Sequence, residues 1–307
     1  MNTKPWPILT EAGLDTAALP TPLRARKPWH YTVGDVFALP PEQCAAAFGV
    51  MAATPQHRYT VEAGPGAAEW FEWLATWDGY GDRHPSDLRN CHAAMCNTDA
   101  PWQRKYELEG PPSGDEWPLP NVHLSTPECS TQAEIDERAP WVLRCPAAAR
   151  VLRLVPTEGL DVRNALADRW ECACPGGALD SLVCDDRNGC PMCPRCGFKL
   201  GGDGRPRFDL VTLRGTTAPV HPDWVRSVRD QCAVAGVAFR FGGWGDFLPV
   251  EQMTDEQYAA LDACDAGLVD FGQRPWGESG PCVYAMRRGR SGRLLDGVTH
   301  DGEVPTC

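Results

Sequence analysis

Apolar positions three and four residues apart alternate along the chain with short runs rich in β-branched and aromatic residues. The first marks helices and the second strands. "WHYTV" (29–33) predicts a strand. "PPEQCAAAFGVMAA" (40–53) predicts a helix with Pro41 in its first turn and Cys44, Phe48 and Met51 on one face. "HRYTVE" (57–62) and "GAAEWFEWLATW" (66–77) repeat the pair, with Trp70, Trp73 and Trp77 spaced as a core-facing stripe. "NVHLS" (121–125) is followed by "TQAEIDERAPWVLRC" (131–145), a helix opened by a Thr131/Glu134 capping box and kinked or shortened at Pro140. "ARVLRLV" (149–155) and "FDLVTL" (208–213) are strands. "HPDWVRSVRDQCAVAG" (221–236) is a helix with Gly236 past its end, then "VAFRF" (237–241) is a strand. "TDEQYAALDAC" (254–264) is a late helix capped by Thr254 and Gln257. Six strands mostly followed by helices imply an α/β fold with a parallel sheet, either open or a TIM-type β/α barrel, closed or incomplete.

The pattern breaks in four places. Residues 1–28 read as an irregular N-terminal arm, and 78–117 as an irregular insertion within the first part of the barrel, 29–171. Residues 172–203 are Cys-rich and separate that part from the last barrel segment, 204–250. Residues 251–307 hold the late helix and an Arg/Gly-rich tail. The basic "MRRGRSGR" (286–293) reads as a solvated turn, and "NCHAAMC" (90–96) as loop.

Of 15 cysteines, six fall between Cys172 and Cys196, a clustering that favours metal over disulfides in a reducing compartment. A structural zinc site wants four thiolates in a closed tetrahedron. "CPRCG" supplies Cys193 and Cys196, and "CAC" supplies Cys172 and Cys174, with Cys184 and Cys190 as the competing pair. The expectation is a zinc-ribbon insertion, structural because a closed site leaves no position for substrate. Net charge is −12, which argues against broad nucleic-acid binding while leaving room for a local nucleotide or nucleic-acid site. No apolar run of membrane length and no signal-peptide pattern occurs, so no membrane association is expected.

Six blocks, "TPLRARKPW" (21–29), "VMAATPQHRYTV" (50–61), "EWPLPNVHLST" (116–126), "QAEIDERAPWVLRCPAAARVLRLVP" (132–156), "HPDWVRSVRDQCAVAGVAFRFGGWGDF" (221–247) and "GRLLDGVTHDGEVP" (292–305), occur in one order. In that order they resemble the phage and bacterial family named after phage gene products 37 and 68. The resemblance implies a barrel related to radical S-adenosylmethionine enzymes and a role in nucleotide or nucleic-acid chemistry. It also implies a cytoplasmic setting in a phage-infected or lysogenic bacterium.

Departures from the family matter as much. Its three-cysteine cluster motif is missing, and the first cysteine here is Cys44. An iron–sulfur cluster needs three such thiolates on one loop, so none is expected. The family's polar strand ends are replaced by "EAGPG" (62–66), "VP" (155–156) and "LRGTTAP" (213–219). Asp35 after the first strand, His221 before a helix and Asp246 in "GGWGDF" remain as catalytic candidates. Three function classes stay open. One is an enzyme acting on a nucleotide or nucleic-acid base. A second is a non-catalytic zinc-bearing scaffold with a protein partner. The third is a base-exchange enzyme like the guanine transglycosylases, with zinc on Cys172, Cys174, Cys196 and His221.

Overall fold

Seven strands form one parallel sheet: β1 (Thr3–Pro5), β2 (His30–Val33), β3 (Arg58–Glu62), β4 (Val122–Ser125), β5 (Ala149–Leu154), β6 (Leu210–Leu213) and β7 (Ala238–Phe241). The computed structural model describes residues 3–76, 118–166, 183–184, 191–192, 208–262, 269–275, 282–286 and 291–304, apart from Ala12, Thr16, Pro20 and Pro146. The strands lie side by side in chain order. A doubly wound sheet reverses its order at a switch point. This one does not, which is the winding of β/α barrels, so the fold is mixed α/β and barrel-like. Its packing divides into two units, residues 1–127 with 138–151, and 128–137 with 152–307.

In the N-terminal unit, the expected irregular arm holds a strand. Thr3–Pro5 pairs in parallel register with His30–Thr32. A three-residue strand ending in proline carries no periodicity to read, and only its edge pairing defines it. Lys4 sits over the rings of Trp29 and Tyr31, 4.2 and 4.9 Å from their centroids, and ties the arm down. Helix α1 (Pro41–Ala52) opens on Pro41 and is buried along most of its length, including Cys44, Phe48 and Met51. Helix α2 (Ala67–Thr76) brings Trp70 and Phe71 into the core. Trp70 stacks on Phe48 with centroids 4.7 Å apart and donates its ring N–H to Pro41 O. Trp73 is half-exposed, and Trp77 lies outside the described residues. Phe48 and Phe71 line one apolar crevice with Val122 and Leu124, so α1 and α2 cover that side of the strands.

Helix α3 (Gln132–Leu143) begins with the capping box its sequence predicts. Glu134 N–H donates to Thr131 Oγ1 at 3.3 Å and Thr131 N–H to Glu134 Oε2 at 3.2 Å. The helix continues through Pro140 to Leu143.

In the C-terminal unit, α4 (Arg163–Leu166) is one short turn of helix. Helix α5 (Pro222–Ala235) runs from a His221 N-cap to Gly236, whose φ of 67° lets the chain leave in the left-handed region. Helix α6 (Asp255–Asp262) has the Thr254/Gln257 box. The segment expected as tail contains more order than its glycines and arginines suggest. Phe247–Pro249, Val269–Pro275 and Cys282–Met286 form an antiparallel sheet with the last of these in the centre. Leu294–Leu295 and Val298–Thr299 form a hairpin. Asp296 at its tip takes hydrogen bonds from Arg226, Arg229 and Gln252, which pins the hairpin to α5. The Arg226 guanidinium, above all, holds the Asp296 carboxyl well below the usual carboxylate range. Beyond the hairpin, the chain pairs along the free edge of β7. Phe241 N–H donates to His300 O at 2.9 Å and Gly302 N–H to Phe239 O at 3.0 Å, with a bridge between Arg240 and Asp301.

Candidate functional site

A parallel sheet covered on both faces has strands that are apolar throughout. The strands of the N-terminal unit are not built that way. Their register aligns Tyr31 with Tyr59, Val33 with Val61, Tyr59 with Val122, and Val61 with Leu124. These six side chains are buried and share the face that the helices cover. The intervening positions of β2, β3 and β4 belong to the other face, which Pro5 of β1 and Ala149 and Val151 of β5 share at its flanks. Those intervening positions are His30 and Thr32 on β2, Arg58, Thr60 and Glu62 on β3, and His123 and Ser125 on β4. All seven are polar. The β2 and β3 residues are half-buried, and His123 and Ser125 are buried.

Adjacent residues on this face interact. His30 Nε2 and Thr60 Oγ1 share a hydrogen bond of 2.8 Å. Thr60 is in register with His123, and Arg58 with His30. Burial, aided by the charges of Arg58 and His30, lowers the His123 imidazole to about 4. His123 is therefore a neutral ring at physiological pH, able to donate from one nitrogen and accept at the other. Ser125 donates weakly to Val61 O at 3.4 Å. The combination is a polar, partly open sheet face with hydroxyls, imidazoles and one guanidinium. It can hold a polar ligand by hydrogen bonds from several strands.

The three catalytic candidates read from the sequence are found elsewhere. Asp35 follows β2 in the N-terminal unit and caps the helical turn Val36–Ala38, accepting from Phe37 N–H at 3.1 Å. Its carboxylate also takes the Gly64 N–H, and it sits where a Cβ on residue 64 would come within 1.8 Å of Oδ2. Burial raises its pKa, against the backbone hydrogen bonds and with help from the negative charge of Glu62. Asp35 thus joins the ends of β2 and β3, and it stands beside Glu62, an acid the sequence reading passed over.

His221 and Asp246 belong to the C-terminal unit. His221 Nδ1 accepts from Asp223 N–H at 3.1 Å, which makes it a helix cap, and its ring lies 5.9 Å from Trp224. Asp246 lies in the loop after β7, where its N–H donates to Thr216 O at 2.8 Å. That unit also holds a charged cluster not anticipated from the sequence. Glu128 receives Nη2 of Arg214 at both carboxylate oxygens, at 2.7 and 2.9 Å, Nε of Arg214 at 3.2 Å, and Nη2 of Arg153 at 2.7 Å. Burial pushes Glu128 up, but the two guanidiniums outweigh it and hold the carboxyl below its ordinary value.

The proposed zinc ligands Cys172, Cys174, Cys193 and Cys196, and the alternate Cys190, lie outside the described residues. Of Cys184 the backbone alone is described: Val183–Cys184 pairs antiparallel with Pro191–Met192. Among the described residues no group of three or more His, Cys, Asp or Glu side chains is placed to hold a metal ion. Cys44, Cys129, Cys145 and Cys232 are buried thiols outside any disulfide, and burial pushes Cys145 and Cys232 up to about 12. No described helix is long and apolar enough to cross a membrane.

The polar face had a signal in the sequence. His30 and Thr32, Arg58, Thr60 and Glu62, and His123 and Ser125 each occupy alternate positions within a run read simply as a strand. What the sequence lacks is the register that stacks those positions on one side.

No curated protein and no solved structure matches the chain. One family does, over residues 4–305: the protein belongs to the family described as "Protein of unknown function (DUF5131)".

Proposed function

We propose that the protein binds, and acts chemically on, a nucleotide or nucleic-acid base held against the polar face formed by His30, Thr32, Arg58, Thr60, Glu62, His123 and Ser125. The observation that carries this reading is the segregation of faces on β2 and β3, with Tyr31, Val33, Tyr59 and Val61 on one side of those two strands and only polar side chains on their other side. Polar groups at half-buried positions lose solvent and need hydrogen-bond partners, which a multifunctional polar ligand supplies. Asp35 and Glu62, at the C-terminal ends of neighbouring strands, are where acid–base groups lie in β/α barrels. The net charge of −12 favours a small nucleotide or a single base over a long duplex. The resemblance to the phage gene-product-37 and -68 family supports nucleotide chemistry without the radical reaction, in the cytoplasm of a phage host.

Calorimetric titration with nucleosides, mononucleotides and short single-stranded oligonucleotides tests the reading. Saturable binding that is lost in Thr60→Val or His123→Leu is the expected result. Failure of the whole panel would sink it and leave the scaffold reading. A base-exchange reaction is supported less well, because His221 Nδ1 is already engaged as a helix cap.

The Cys172–Cys196 cluster is proposed to hold a structural zinc on Cys172, Cys174, Cys193 and Cys196. Metal analysis of the purified protein is expected to find about one zinc per chain and no iron. Chelation should then open thiols to an alkylating reagent while Cys44, Cys129, Cys145 and Cys232 stay protected, since buried thiols react slowly. Iron with labile sulfide would overturn the assignment.

A further inference from the structure

Among the described residues, seven arginines are engaged by carboxylates. Arg153 and Arg214 pair with Glu128, Arg163 with Asp161, Arg226 with Asp223, Glu251 and Asp296, Arg229 with Asp230 and Asp296, Arg240 with Glu303, and Arg293 with Asp301. Arg58 differs. It is half-buried at the start of β3, and among the described residues no carboxylate lies within ion-pair range of its guanidinium and no hydrogen bond reaches it. Its neighbours on the polar face are His30, in register on β2, then Thr60 and His123. The acid on the same strand, Glu62, is four residues further along, roughly 13 Å away at the rise of an extended strand. The face is therefore divided, basic where the strands begin and acidic where they end.

A half-buried guanidinium with no anion beside it leaves its five donors to solvent, which an oxyanion can displace. Its planar fork matches an oxyanion in two-point contact. The adjacent imidazoles and the Thr60 hydroxyl add donors of the kind that complete such a site. His123 carries no charge in the empty face, and a bound anion would favour its protonation and so gain a second cation.

We propose that Arg58, with His30, Thr60 and His123, binds a phosphate group, either free phosphate or the phosphate of a nucleotide whose base and sugar extend along the strands toward Ser125 and Glu62. The orientation rests on the polar face being the ligand site. The phosphate subsite itself rests on Arg58 and its neighbours.

The test is calorimetric titration of the full chain with inorganic phosphate, a mononucleotide and the matching nucleoside. Wild type is expected to bind phosphate, and to bind the mononucleotide at least about tenfold more tightly than the nucleoside. Arg58→Gln should lose about tenfold or more for both phosphate-bearing ligands while nucleoside binding is unchanged, the scale of a charge-assisted hydrogen bond. Arg58→Lys should recover part of the loss, and Arg163→Gln, an exposed arginine, should change nothing. Proton-detected titration of the His30 and His123 rings in wild type supplies a readout that does not depend on any variant folding. Their resonances are expected to move with phosphate.

Equal binding of mononucleotide and nucleoside, with no effect of Arg58→Gln, overturns the subsite and leaves the nucleotide reading standing. Arg58-dependent phosphate binding without any nucleotide binding supports the subsite and removes the nucleotide reading. No response of either histidine and no phosphate binding overturns the subsite outright.

Discussion

Gly215→Ala is expected to destabilise the protein by about 3 kcal/mol or more, at the upper end of what overpacking costs. A Cβ on residue 215 would stand 2.1 Å from Trp244 O and 2.5 Å from Trp244 C, both backbone atoms that cannot swing aside. The approach is reciprocal. Gly245 has φ of 74°, and a Cβ there would lie 2.3 Å from Thr216 O. The loops after β6 and β7 are stitched together at this point, with Gly215 N–H donating to Gly243 O and Asp246 N–H to Thr216 O, both at 2.8 Å. The right control is Gly236→Ala. Gly236 also has positive φ, but an added Cβ there meets nothing within 4 Å, so the change should cost only about 1 kcal/mol of backbone strain. Denaturant titration of the two variants measures the difference. Equal losses would show that close approach of the loops contributes nothing.

Stability should also fall on acidification between about pH 6.5 and pH 4, by roughly 2–3 kcal/mol from His123 alone. Its folded value is lowered to about 4 by burial, then by Arg58 and His30. A depressed folded value means the unfolded chain binds more protons in this window. The contribution is fully present above the unfolded value near 6.5 and is lost as pH falls through about 4. His57 is depressed by burial as well and works in the same direction. Its Nδ1 accepts from Trp29 N–H, and its Nε2 donates to Pro22 O, so it too is held neutral. His123→Leu isolates the larger contribution. Its stability should be flatter across the window, with the residual slope assigned to His57. A variant whose curve parallels wild type would show that His123 is not the titrating group.

Elements with local punctuation were legible in advance. The Thr131/Glu134 and Thr254/Gln257 boxes, Pro41 at a helix start, and Gly236 at a helix end act within a few residues, and the structure uses all of them. Thr3–Pro5 and the sheet of residues 247–249, 269–275 and 282–286 were not legible. The first owes its existence to pairing with β2, and the second has register shifts within 269–275 that blur any alternation. The site was only half visible for the same reason. Asp35 looked like a strand-end acid, and the local geometry that makes it a cap involves Phe37 and Gly64, the latter on the next strand. His30, Arg58, Thr60 and His123 sit in three runs up to 93 residues apart, from His30 to His123, and become neighbours through strand register.

The pairing of residues 300–302 with β7 changes what the last strand of the sheet is. An exposed strand edge is a template on which another chain can extend the sheet. Here the groups of Phe239 and Phe241 that such a chain would meet are already spent on His300 and Gly302, and a Cβ at residue 302 would stand 2.4 Å from Phe239 O. The segment that follows Asp296 therefore acts as a stopper against self-association, and the arginines of α5 keep it in place through the hairpin tip. Loss of that hold would show first as aggregation, with the helices and strands of the unit still formed.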